Sequence, residues 1–231
     1  MKEPTASVTG ESIMRIGIIG AGHIGGTLTR RLRTLGHDVS VANSRGPQTL
    51  RALADETGAH ATKVPDAAHG KDLVIVTIPE KSIPDLPKDL FGSDERDTVV
   101  VDTGNYYPQR DGRIAAIEDG TTESRWVSQQ IGHPVIKAFN NIYAKHLMES
   151  GRPHGDPKRI ALPVAGDDAR AKAVVMRLVD ELGFDPVDAG TLDESWRQQP
   201  GTPVYGTDLD AAGVKRALAE ASSERPAGFR A

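Results

Sequence analysis

The chain has 231 residues, 38% of them apolar and 26% charged, with a formal net charge of −4, a balance that suits one large soluble domain or one domain with a small appendage. It contains no cysteine, which excludes disulfides, thiolate catalysis, iron–sulfur clusters and cysteine-ligated zinc. Its longest basic grouping is Arg30, Arg31 and Arg33, too small for a nucleic-acid face, and no apolar run reaches membrane-spanning length.

Residues 1–12 are polar and lack the apolar core of a secretory signal. Met14 stands directly before the first apolar run and could serve as the natural start, leaving residues 1–13 as a flexible extension. A cytoplasmic protein is the expectation. Residues 14–28 organise the rest of the chain. Ile16, Ile18 and Ile19 form a short buried strand that stops at Gly20, and Leu28, Leu32 and Leu35 then recur at helical spacing. Between them lies Gly20-Ala21-Gly22-His23-Ile24-Gly25. In a strand–turn–helix context the first glycine lets the chain turn and the second lets backbone approach a pyrophosphate. The third lets the helix pack close to the strand. The free amides and positive dipole at the helix start then face the phosphates. The alternative is a glycine-rich turn without a ligand.

Residues 38–43 form a second strand, and the residues at its end select the cofactor. An NAD site usually places an acid there for the ribose hydroxyls. Here stand Asn43, Ser44 and Arg45. A carboxylate would repel a 2′-phosphate, whereas Arg45 can pair with it and Ser44 can donate to it. NADPH is therefore expected over NADH, against a plain solvated arginine in a turn.

Pro47 starts a helix that closes at Gly58, and residues 59–64 make a third strand followed by a brief helical turn. Residues 72–78 are a continuous apolar strand of the kind buried on both faces of a parallel sheet. It ends at Thr77-Ile78-Pro79, placed to wall the nicotinamide or simply to end a strand at a proline turn. Residues 81–90 suggest a short or broken helix, and residues 97–102 a fifth strand leading into the polar loop 103–108. Asp102 could act as an acid, though bonding to loop backbone suits it better. Residues 109–130 are weakly helical, residues 133–141 a sixth strand ending in Asn140 and Asn141, and residues 142–148 a helix. After a loop come a strand at 159–165, an amphipathic helix at 167–182 capped by Asp167 or Asp168, and an eighth strand at 184–190. Helical stretches at 192–196 and 208–221 flank the loop 197–207, and residues 222–231 look frayed.

The expected fold is α/β: a Rossmann-type, doubly wound, mainly parallel sheet of about eight strands with a small C-terminal helical appendage. Residues 14–150 would form the dinucleotide-binding domain, and residues 151–231 a smaller part closing the acceptor pocket.

With these segments placed, the chain resembles the NADPH-dependent oxidoreductases that use the deazaflavin coenzyme F420 as hydride partner. The matching stretches are residues 20–25, 43–45, 76–79, 137–140 and 183–190. The resemblance implies that Ser44 and Arg45 hold the 2′-phosphate and that Ile78 and Pro79 border the nicotinamide. It also implies that residues 138–142, beginning with Ala138, lie under the reacting rings, and that the chain pairs as a homodimer. The stretch 196–207 departs from the apolar ending of that family. Polar Gln198, Gln199, Thr202 and Tyr205 there suggest a different small-molecule acceptor.

Hydride transfer between stacked rings needs distance, orientation and exclusion of water more than acid–base help. The chain's seven histidines include no pair at metal-ligand spacing on one expected face, so no metal is expected. His23 would meet phosphate through its backbone, its side chain being exposed. Asn140 and Asn141 can donate and accept together, so either could grip the nicotinamide amide or an acceptor carbonyl, or else cap the loop. Lys137 could supply a proton to a carbonyl or imine, though a solvated lysine is the simpler reading. The acceptor is expected to be F420 or another flavin-like ring, with a small carbonyl, imine or quinone as the alternative. A protein that binds NADP(H) as a redox sensor would share residues 14–46.

Overall fold

The computed structural model describes residues 13–231; the flexible extension expected over residues 1–13 lies outside the described residues except for Ile13. In chain order the elements are β1 (Arg15–Ile19), α1 (His23–Thr34), β2 (Asp38–Ala42), α2 (Arg51–Thr57), β3 (His60–Thr62), α3 (Val64–Ala68), β4 (Leu73–Val76) and β5 (Val99–Asp102). Three short helices come next, α4 (Pro108–Asp111), α5 (Ala115–Glu118) and α6 (Glu123–Ile131), then β6 (Ile136–Lys137) and α7 (Ala144–Glu149). The chain ends with β7 (Ala161–Val164), α8 (Ala169–Glu181), β8 (Asp185–Asp188) and α9 (Ala211–Glu220).

Six strands form one parallel sheet in the order β3-β2-β1-β4-β5-β6, the arrangement of dinucleotide-binding folds with its reversal between β1 and β4. The register sets the site. Ala42 pairs with Ile19, Ile19 with Val76, Val76 with Asp102 and Asp102 with Lys137. These five residues form one row at the carboxyl edge, so the loops after five strands open on the same side.

Both faces of the sheet are covered, as continuous apolar strands require. Ile16, Ile18, Leu73 and Ile75 pack against Leu28 and Leu32 of α1 and Val175, Leu178 and Val179 of α8. Ile19, Val74 and Val76 pack with Trp126, Val127 and Ile131 of α6 on the other face. Burying each such aliphatic side chain contributes about 1.5–3 kcal/mol relative to exposure. Asp168 caps α8, accepting from the amides of Arg170 and Ala171 at 2.8 and 2.9 Å.

Three expectations change. The eight strands divide into the six-stranded sheet and a separate parallel pair, β7 and β8. Among the described residues the pair meets the main sheet through an antiparallel bridge between Lys137 and Ala165. The strand expected over 133–141 shortens to two residues. Pro134 lacks a donor, and Phe139 turns the chain out of the sheet at φ +62°, an uncommon backbone state held there by complete burial. Residues 222–231, mostly exposed, are anchored at points rather than frayed. Arg225 pairs with buried Glu123 at 2.9 Å, the Phe229 ring lies tilted against Tyr107, and Gln109 donates to the carbonyl of Gly228 at 3.0 Å. Among the described residues no helix is long and apolar enough to cross a membrane.

Candidate active site

The glycine loop joins β1 to α1 at the carboxyl edge. Gly20 has φ +109°, and a Cβ there would stand 2.3 Å from the carbonyl oxygen of Thr77, so a glycine is needed for both the turn and the contact. Gly25 packs the helix onto the loop: a Cβ would lie 2.0 Å from the Gly20 carbonyl oxygen and 2.7 Å from Cγ2 of Thr77. Gly22 is the N-cap of α1, and a Cβ added to it meets nothing within 4 Å. The first turn of α1 carries no acid and no side-chain cap. Its amides therefore face open space with a positive dipole behind them. A pyrophosphate fits that surface. Ala21 and Ile24 are half-buried against the core, and the His23 side chain is exposed.

The turn after β2 is held open by Asn43. Its side-chain oxygen accepts from the Arg45 amide at 3.0 Å, and its nitrogen donates to Thr49 Oγ1 at 3.0 Å. Asn43 thus shapes the turn, while Ser44 and Arg45 project into solvent. The Arg45 guanidinium has no ion-pair partner among the described residues, and the turn carries no carboxylate. A 2′-phosphate on an adenosine ribose fits this pair of donors.

Thr77, Ile78 and Pro79 come directly after β4 and are half-buried, with Ile78 Cγ2 close to Gly20. Beyond them lie buried charges that sequence reasoning missed. Glu80 is fully buried and neither carboxylate oxygen has a partner among the described residues. Burial above all, with nearby Asp102, pushes it well above the usual carboxylate range. Lys137 is not solvated as expected: it is 0% exposed. Its ammonium donates to the Gly104 carbonyl at 2.6 Å and to Asp102 Oδ2 at 3.2 Å. Burial pulls its pKa down, but Asp102, Glu123 and Glu80 outweigh that and raise it. Asp102 takes the structural role, also accepting from the Gly104 amide at 2.8 Å and Ser124 Oγ at 2.6 Å. The signals were present: a lysine inside an otherwise apolar segment, and a glutamate directly after Pro79 at the end of an apolar strand.

The two asparagines separate in role. Asn140 is placed as a clamp instead of a ring-gripping group. Its amide nitrogen donates to Asn105 Oδ1 at 3.0 Å and to the Gln198 carbonyl at 2.7 Å, and its oxygen accepts from Gln198 Nε2 at 2.9 Å. Asn141 is 2% exposed, and neither atom of its side-chain amide has a partner among the described residues. Its backbone carbonyl accepts from the Gly206 amide at 2.9 Å. Ala138 is wholly buried in the core, so it supports the site without lining it. The stretch 198–206 thus straps the loops after β5 and β6 together. A hydroxyl–hydroxyl hydrogen bond between Tyr107 and Tyr205 adds to this fastening. Asn105, Tyr107 and Tyr205, all half-buried, stand together where the strap meets these loops.

The cluster of His154, Asp180 and Asp185 is already balanced by Arg159, which lies 2.7 Å from Asp180 and 3.1 Å from Asp185.

Comparison with known proteins agrees with this geometry. Residues 15–106 match the family described as NADP oxidoreductase, coenzyme F420-dependent. The crystal structure of a hypothetical protein, SMa0349 of Sinorhizobium meliloti, is 33% identical over 86% of this chain and 95% of that one, with a TM-score of 0.74. A candidate F420-dependent NADP reductase from Arthrobacter sp. FB24 is 26% identical over 77% of this chain and 85% of that one, with a TM-score of 0.64. Protein YjhV of Escherichia coli (strain K12) is 52% identical over 66 residues, 29% of this chain and 48% of that protein, so the match spans about half of that relative. The glycine loop, the strand order and these likenesses together establish that the chain belongs to the NADP oxidoreductase, coenzyme F420-dependent family.

Proposed function

We propose that the chain is an NADPH-dependent reductase that delivers hydride to a small unsaturated acceptor over the carboxyl ends of β5 and β6. The observation that carries this reading is the single row formed by Ala42, Ile19, Val76, Asp102 and Lys137. It sets the arginine turn, the glycine loop, the Ile78–Pro79 wall and the polar acceptor side next to one another in that order. NADPH, when bound, supplies a hydride from its nicotinamide ring. The protein's share is binding, orientation and exclusion of water. The amides of residues 22–25 take the pyrophosphate, Ser44 and Arg45 take the 2′-phosphate, and Ile78 and Pro79 border the ring. The strap 198–206 shields the acceptor side.

Two acceptor classes fit this site. Membership of the family supports a deazaflavin or flavin ring. The hydroxyl and amide lining of Asn105, Tyr107 and Tyr205 supports a small carbonyl, imine or quinone, and the geometry favours this second class. The test is loss of NADPH absorbance with a panel of F420, FMN, menadione, benzaldehyde and 1-pyrroline. Turnover with benzaldehyde or 1-pyrroline supports the favoured reading, and turnover confined to F420 or FMN returns the acceptor to the ring class. Tight NADPH binding without turnover on any of them identifies a redox sensor instead.

A further inference from the structure

Reduction of a carbonyl or imine consumes a proton as well as a hydride, and the groups already described include no evident donor. Asp102 and Lys137 are buried and committed to one another, the Glu80 carboxyl is wholly buried, and both Asn140 amide hydrogens are already donated. Two half-buried phenols stand beyond the carboxyl ends of β5 and β6, with the exposed Tyr143 hydroxyl close to Gly206 beside them. Tyr107 comes after β5 and Tyr205 lies in the strap, 98 residues later, and their hydroxyls meet. Tyr205 is joined to the loop after β6 by the neighbouring Gly206 amide, which donates to the Asn141 carbonyl. Tyr107 is held by the Arg110 guanidinium 5.0 Å from its ring centroid and by the ring of Phe229 at 6.2 Å. Both phenols are half-buried, on the loop after β5 and on the strap that covers it.

Resting on the reductase reading, we infer that Tyr205 is the acid that protonates the acceptor heteroatom, with Tyr107 orienting its hydroxyl and returning the proton from water. The hydride forms a C–H bond at the acceptor carbon while the C=X π pair moves onto X, where X is oxygen or an imine nitrogen. X then takes the phenolic proton of Tyr205, leaving a phenolate that regains a proton through the Tyr107 hydroxyl. NADPH is oxidised and the acceptor reduced by two electrons. Burial, then the Tyr107 hydroxyl, hold the Tyr205 phenol above the ordinary tyrosine range. Such a phenol keeps its proton in the resting protein and yields it to a strong base, such as the alkoxide or amide anion left by hydride addition. The ring nitrogen of a reduced deazaflavin is a much weaker base and gains little from such a donor.

The test combines turnover with a signal independent of it. Tyr205→Phe should lower kcat for benzaldehyde or 1-pyrroline about 100-fold, with KM and the calorimetric NADPH Kd changed less than about threefold. Tyr107→Phe should give a smaller loss and displace the pH profile, because it acts through Tyr205. In protein carrying 13Cζ-labelled tyrosine, the unreactive carbonyl analogue benzamide should move the Tyr205 resonance when NADP+ is present, a resonance identified by its absence from Tyr205→Phe. Undiminished kcat in a folded Tyr205→Phe protein overturns the donor assignment and leaves the reductase reading intact. Should no acceptor of the panel oxidise NADPH, the reductase reading fails and the donor assignment falls with it; an unmoved Tyr205 resonance in a protein that does turn over overturns the assignment alone.

Discussion

The Lys137 ammonium lies 3.2 Å from Asp102 Oδ2 and 2.6 Å from the Gly104 carbonyl, with no exposed surface on the lysine side chain. The pair ties the last residue of β6 to the last residue of β5 and to the loop that carries Asn105 and Tyr107. Breaking a buried pair from one side leaves a charge without compensation. Lys137→Met should therefore destabilise the fold by about 3–5 kcal/mol, read as a lowered urea midpoint. A change within about 0.5 kcal/mol would mean that water reaches Asp102 and that the pair is dispensable.

Glu80 makes a contribution of definite sign to the pH dependence of stability. Burial raises its pKa well above the usual carboxylate range in the folded protein. Between the ordinary glutamate value and that raised value, the folded state holds a proton that the unfolded state has released. Stability must then fall as pH rises through this window. Glu80→Gln keeps the shape and removes the ionisation. The variant should gain stability over the native protein at pH 8 and lose that advantage at pH 4, in chemical melts at both values. Parallel curves would show that Glu80 ionises without cost, through water or a partner.

Gly22 and Gly25 should differ in what their replacement costs. A side chain at Gly22 meets no atom within 4 Å, so Gly22→Val should melt with the native protein and yet fail to bind NADPH. At Gly25 the added carbon would be 2.0 Å from a backbone oxygen, and overpacking of that kind costs about 1–3 kcal/mol. Gly25→Ala should therefore lose both stability and binding. Calorimetry beside thermal melts separates the two, and retained affinity in Gly22→Val would remove the pyrophosphate from this loop.

Arg45 is exposed and free of ion pairs among the described residues. A charge-assisted hydrogen bond to a phosphate contributes about 1.5–3 kcal/mol, so Arg45→Ala should weaken NADPH about 10- to 100-fold. NADH, which lacks the 2′-phosphate, should bind as before. Equal losses for the two would place Arg45 on a group they share.

The core of the fold was legible because its signals are local. The glycines at 20, 22 and 25 lie within one turn and its helix. The apolar run of β4 declares burial on both faces, and the pair Asp167 and Asp168 announces the start of α8 by its place before an apolar helical pattern, the structure choosing Asp168 as the cap. The absence of an acid after β2 could likewise be read from three adjacent residues. Strand limits were less legible. The end of β6 depends on the positive φ of Phe139, which a phenylalanine adopts only when its surroundings impose it.

The sequence by itself determined the alternation of strands and helices, the place of the glycine loop and the lack of an acid after β2, since each rests on neighbours along the chain. Tertiary structure alone decided that Lys137 is buried on Asp102, that Asn140 is spent on Gln198 while Asn141 is left open, and that Tyr107 meets Tyr205. Those pairs are 35, 58 and 98 residues apart. Whether a polar side chain is solvated or satisfied inside depends on which distant segment folds against it, and no local pattern records that choice.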